Sequence, residues 1–99
     1  MVKQISVFIQ NESGKIASIV QALADAQVDI RALSIADTTD FGILRMLVND
    51  VQLARETLAK ENCMASVTDV VVAAVPDQAG GLASLLTPMA KTGVNIEYM

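Results

Sequence analysis

The sequence predicts an α+β fold of order βαββαβ, followed by half of a second such unit. Three observations predict it. The chain repeats itself at an offset of 66 residues, periods of two and of 3.6 alternate in that order over residues 1–68, and the second copy of the pattern stops after its second strand. In the repeat, Gly14-Lys15-Ile16-Ala17-Ser18-Ile19-Val20 aligns with Gly80-Gly81-Leu82-Ala83-Ser84-Leu85-Leu86, and Ala24, Val28 and Ile30 fall on Ala90, Val94 and Ile96. Six of the twenty positions from 14 to 33 are identical to their partners, and several of the rest pair apolar with apolar.

Each element of the first unit has a local reason. Ile5, Val7 and Ile9 alternate with Gln4 and Ser6, as in a half-buried strand. Asn11-Glu12-Ser13-Gly14 breaks that strand and offers helix-capping side chains. Ile16, Ile19, Val20 and Leu23 then recur at helical spacing. Val28 to Ala36 reads as a β-branched and apolar strand, and Asp37-Thr38-Thr39-Asp40 as a hairpin turn. Phe41 to Val48 is the next strand, with Leu44, Met46 and Val48 on one face. Asp50 caps a second helix from Val51 to about Glu61, whose stripe is Val51, Ala54 and Leu58. Met64 to Thr68 closes the unit, and Asp69 is the whole linker.

The second unit, residues 69–99, starts the same way, with a strand at Val70–Val75, a turn at Pro76–Ala79, a helix from Gly80 to about Thr92 and a strand from Val94. Pro88 falls inside that helix, where it removes a hydrogen bond at a cost of about 3 kcal/mol, so a kink near Ser84–Pro88 is expected. In a split βαβ sheet the third strand lies between the first and second. Without it, Val70–Val75 and Asn95–Met99 share no neighbour. Either another chain supplies the strand or the sequence is a shortened form of a longer protein, and the second is favoured.

Composition narrows the function. Apolar residues make up 53% of the chain and charged residues 18%, enough for a core and too apolar for disorder. A net charge of −4 without a basic cluster disfavours nucleic acid and anionic lipid as partners. No apolar run approaches the roughly 20 residues of a membrane span, and Met1-Val2-Lys3-Gln4 does not open a signal peptide, so a cytoplasmic location is expected. Cys63 is the single cysteine, with no positive neighbour to activate its thiolate, and there is no histidine. No metal or cofactor is implied. Enzyme chemistry is not expected, since there is no histidine, metal-spaced cysteine pair or nucleophile elbow. An acylphosphatase-like enzyme would need an anion-binding arginine in its first loop, where only Lys15 stands. An RNA-recognition module would need paired strand aromatics and positive charge.

Val75-Pro76-Asp77-Gln78-Ala79-Gly80-Gly81-Leu82-Ala83, followed by Gly93-Val94-Asn95-Ile96-Glu97-Tyr98, resembles the strand-end turn and second strand of tandem ACT-domain proteins, small regulators that bind amino acids. Asn11-Glu12-Ser13-Gly14-Lys15-Ile16-Ala17 and Val28-Asp29-Ile30 hold the same places in the first repeat, and Phe41 to Asp50 is similar to the family's third strand and its exit. The resemblance covers the whole chain and implies a ferredoxin-like ACT-type unit at 1–68, plus a partial one at 69–99. The chain departs from the family at Ala79, where proline is frequent, and at Asp29, where the ligand-binding asparagine would stand.

The resemblance also implies an effector, an amino acid or similar metabolite, where the first loop of one unit meets the helix end and second strand of another. One loop is then Asn11, Glu12, Ser13 and Gly14, with Lys15 beside it; the other is Asp77, Gln78, Ala79, Gly80 and Gly81, with Leu82. Free amides at a helix start suit a carboxylate, and Asn95 or Asp29, next to Ile96 and Ile30, offers an oxygen to the ammonium. A homodimer or larger assembly is expected, with an enzyme as a possible partner. The rival reading is a ligand-free structural module that oligomerises with a partner enzyme.

Overall fold

The computed structural model describes residues 1–10, 12–37 and 41–99. Four strands and two helices make up the first unit: β1 (Val2–Gln10), α1 (Lys15–Asp25), β2 (Ile30–Asp37), β3 (Phe41–Val48), α2 (Val51–Lys60) and β4 (Ala65–Val70). One further helix, α3 (Gly81–Lys91), belongs to the second repeat. The strands form one antiparallel sheet of order β2-β3-β1-β4. The third strand thus lies between the first and second, as the sequence predicts.

Alternation builds the core. The register sets Ile5 against Met46, Val7 against Leu44 and Ile9 against Gly42, so these residues share one face of the sheet. Helices α1 and α2 cover that face with Ile19, Leu23, Ala54 and Leu58, all buried. Gly42 lies against Ile9, and a Cβ there would meet the Ile9 side chain at 3.4 Å, an ordinary contact. Asp50 caps α2 as expected, its carboxylate accepting the Leu53 amide at 3.1 Å.

The first repeat's helix starts differently from expectation. Its N-cap is Gly14, at φ +79°, and among the described residues no side chain caps the helix end, Ser13 included. Asn11 and the turn residues Thr38–Asp40 lie outside the described residues.

Strand β4 runs through Asp69 to Val70, pairing Lys3 with Asp69 and Val2 with Val70. From Val71 to Val75 no ladder forms, and none forms from Val94 to Met99. The strands expected there have no partner to hydrogen bond among the described residues. Helix α3 runs through Pro88 as one element.

Backbone geometry bears out the repeat. Gly14 and Gly80 both adopt positive φ before their helices, and Gln27 and Gly93 do so after them. Lys15 N–H bonds the Glu12 carbonyl at 3.2 Å, and Gly81 N–H the Gln78 carbonyl at 3.0 Å. Val28 N–H reaches the Leu23 carbonyl at 2.9 Å, and Val94 N–H the Met89 carbonyl at 3.4 Å.

The two repeats differ in what covers their helices. Ile19 and Leu23 are 1% and 0% exposed, whereas the equivalent Leu85 and Met89 are only half-buried. Replacing Ile19 with alanine is expected to cost about 2–5 kcal/mol, as for a fully buried side chain. Leu85→Ala is expected to cost about 1 kcal/mol, because part of that side chain already meets water. Urea unfolding of both variants checks the difference.

Candidate functional site

The two helix starts of the repeat are the structural centre of the predicted site. Glycine at positive φ turns the chain directly into each helix, without a side-chain cap. The amides of Lys15 and Gly81 are taken by the loop, and those of Ser18 and Ser84 by the carbonyls of Gly14 and Gly80, each at 3.0 Å. Between them, the Ile16, Ala17, Leu82 and Ala83 amides have no backbone acceptor among the described residues. Amides at a helix start, aligned with the helix dipole, suit a negative charge.

The loops before the helices are not identical. In the second, Gly81 is buried and packs against the Pro76 carbonyl so closely that no Cβ fits between them. Lys15 holds the equivalent place in the first loop, which follows Gln10 instead of a proline. Glycine at 81 is thus a requirement of close packing, while Gly80 is a requirement of its φ of +86°.

The acceptors expected for an ammonium group lie at the starts of the following segments. Asp29 is exposed; its carboxylate stands 4.0 Å from Arg31, and its amide donates to Asn49 Oδ1 at 2.8 Å. The Asn49 amide returns a bond to the Asp29 carbonyl at 3.1 Å, so Asn49 clamps the entry to β2 from both sides. Sequence reasoning missed Asn49; it ends a strand with no equivalent in the second repeat, so no pattern marks it. Ile30 is half-buried and opens β2.

A cavity of about 540 Å³ lies between α3, the two unpaired segments and the sheet face turned away from α1 and α2. Of the predicted site residues it gathers Leu82, Asn95 and Ile96. Glu12, Ser13, Gly14, Lys15, Asp29 and Ile30 do not line it, nor do Asp77, Gln78, Ala79, Gly80 and Gly81. On its floor, Tyr98 hydroxyl accepts from Gln4 Nε2 at 3.0 Å and its ring stacks under the Arg45 guanidinium at 3.9 Å. Alternation with Leu44 and Met46 points Arg45 away from the core, as expected; it is half-buried there because Tyr98 covers it. Lys3 and Asp69 form an exposed ion pair at 3.0 Å on the β1–β4 ladder.

The whole chain, residues 1–99, matches the family model described as an ACT domain pair. The protein belongs to the ACT-domain family. Protein BT0572 from Bacteroides thetaiotaomicron is 38% identical, with a TM-score of 0.92 over 98% of this chain and 67% of its own. The ligand-free regulatory subunit of aspartate kinase from Thermus thermophilus is 22% identical, with a TM-score of 0.73 over 97% of this chain and 73% of its own. A formyltetrahydrofolate deformylase from Burkholderia mallei shares the fold at 15% identity and a TM-score of 0.52, over 90% of this chain and 37% of its own. No curated protein gives a significant match. This chain therefore has the ferredoxin-like fold of ACT units. None of its described helices is long and apolar enough to cross a membrane.

The two loops respond differently to a methyl group. Gly81→Ala is expected to destabilise the second repeat by about 1–3 kcal/mol, since the Pro76 carbonyl must move. Lys15→Ala at the half-buried equivalent place is expected to stay within about 0.5 kcal/mol, as a substitution at a helix start away from the core does. Chemical denaturation checks both.

Proposed function

We propose that this ACT chain is a non-catalytic sensor of an amino acid, bound where the loop of one unit meets the helix end and second strand of another. The reading divides the chain into a complete unit at 1–68 and a partial unit at 69–99. What carries it is the pair of helix starts after glycines of positive φ, where the amides of Ile16, Ala17, Leu82 and Ala83 have no acceptor among the described residues. A carboxylate held there would leave its ammonium to Asn95 or Asp29. The loop residues Asn11, Glu12, Ser13 and Gly14 and their counterparts Asp77, Gln78, Ala79 and Gly80 would shape the pocket, with Ile30 and Ile96 as its apolar floor. Lys15 would attract the carboxylate.

Ligand bound between two units orders their contact, and its differential affinity for that state becomes the signal to an enzyme partner in the cytoplasm. Regulation of a kinase chain by the aspartate kinase regulatory subunit, named for that role, is the precedent among the structural neighbours. The competing reading, a ligand-free oligomerisation module, draws on Asp29, whose amide and carbonyl are already occupied by Asn49.

The readings part on ligand response. In a thermal-melt screen against the twenty amino acids, a bound ligand at about 100 times its Kd adds about 2.7 kcal/mol. That shift is expected for one chemical group of amino acids, and Gly80→Val or Asn95→Ala is expected to abolish it. No shift from any of them, with the protein folded, rejects the sensor and leaves the structural module.

A further inference from the structure

We propose that Asn49 is a positioning residue of the first unit: it fixes Asp29 for a ligand and joins the entry of β2 to the first turn of α2. The ligand role rests on the sensor reading; the joint between the two elements does not.

In an antiparallel ladder, the two residues of a bonded pair exchange both of their N–H···O bonds. Strands β2 and β3 pair as far as Ile30 with Val48, and Asp29 faces Asn49 one step beyond. The Asn49 amide donates to the Asp29 carbonyl at 3.1 Å, as it would within a ladder. The return bond is different: the Asp29 amide donates to Asn49 Oδ1, at 2.8 Å. A side-chain oxygen thus stands in for a backbone carbonyl, and the main chain of Asn49 is released to turn away from β2.

That turn leads straight into α2. Asp50 is extended, at φ −133° and ψ 97°, and its carboxylate accepts the Leu53 amide at 3.1 Å. Its carbonyl accepts the Ala54 amide, also at 3.1 Å. Consecutive residues therefore hold the two elements: Asn49 bonds the strand entry and Asp50 caps the helix. A shift of Asp29 is carried to the cap of α2 through one peptide unit, which is planar and stiff.

On its other side Asp29 is held by the exit from α1. Gln27 sits at φ +65°, and Val28 N–H reaches the Leu23 carbonyl at 2.9 Å. Val28 is buried, so the residue before Asp29 is anchored in the core. Beyond Asp29, a register shift between Ile30 and Ala32 interrupts the β2–β3 ladder. A ladder broken at that point does not by itself fix the strand entry, and the two Asn49 bonds do. The main chain of Asp29 is thus held on both sides, while its carboxylate is 72% exposed and 4.0 Å from Arg31. A binding group needs that arrangement, with its backbone fixed by neighbours and its charge left for the ligand.

Amide hydrogen exchange on the 99-residue chain tests the joint without a ligand. Asn49→Ala removes one acceptor and is expected to speed exchange about fivefold at Asp29 and, through the loosened cap, at Leu53. Val7 and Leu44, in the core, report the change in global stability, and the two joint amides are expected to exceed it. Asn49→Asp keeps an oxygen in the same place and is expected to restore both amides. Faster exchange at Asp29 alone overturns the joint, as does an effect no larger than that at Val7 and Leu44. No restoration by aspartate assigns the effect to packing and overturns it too. For the ligand role, thermal melts give the Kd of the amino acid that stabilises the wild type, and Asn49→Ala is expected to raise it about fivefold. An unchanged Kd overturns the positioning role and leaves the sensor standing. A wild type that responds to none of the twenty amino acids rejects the sensor and the ligand role together, and the exchange result then decides the joint alone.

Discussion

Strand β3 is bonded on both edges, to β1 and to β2, and the rest of the first unit depends on that double pairing. The connection from β1 through α1 to β2 leaves a one-strand gap, and β3 fills it with backbone partners and with Leu44 and Met46. A one-residue slip would turn those side chains to the other face, so the hydrophobic pattern fixes the register. Helices α1 and α2 can then pack side by side over one continuous apolar surface. A chain this small gains little margin from its single core, so losing the strand means losing the cooperative unit.

The second repeat shows the same local sequence logic in its loop, helix and exit turn. Its loop, helix and exit turn copy the first repeat down to individual hydrogen bonds, which shows that these features are local. The glycine before each helix, the carbonyl of the loop and the turn at Gln27 or Gly93 need only their neighbours in the chain. The flanking segments, 71–75 and 94–99, need a long-range partner and form no ladder with the described residues. Tyr98 ties the end of the chain to the first unit through Gln4 and Arg45, so the open half is docked rather than free.

The helix starts link fold to function. A helix whose first amides are satisfied by a serine or aspartate cap has little left for a ligand, as Asp50 illustrates at α2. Glycine at the other two starts supplies the turn and leaves amides open, at the cost of the cap. That trade is legible in the sequence only as the repeated glycine. Cap and loop residues share the same chemistry, so the sequence does not separate the two roles at Ser13. In the structure the cap is Gly14, and Ser13 makes no such bond.

The sequence by itself determined the order of elements in the first unit, most inward residues of β1, α1, β3 and α2, the cap at Asp50 and the two-fold repetition. All of these follow from periodicity or from chemistry within a few residues. It also determined that Arg45 faces away from Leu44 and Met46. Tertiary structure alone decided that Arg45 is covered by Tyr98, that Asn49 clamps the start of β2, and that Gly81 lies against the Pro76 carbonyl. It also decided that the apolar run after Val70 forms no ladder. Each of these rests on a contact whose partner is set by the path of the chain through space, and a strand cannot exist without the neighbour that accepts its hydrogen bonds.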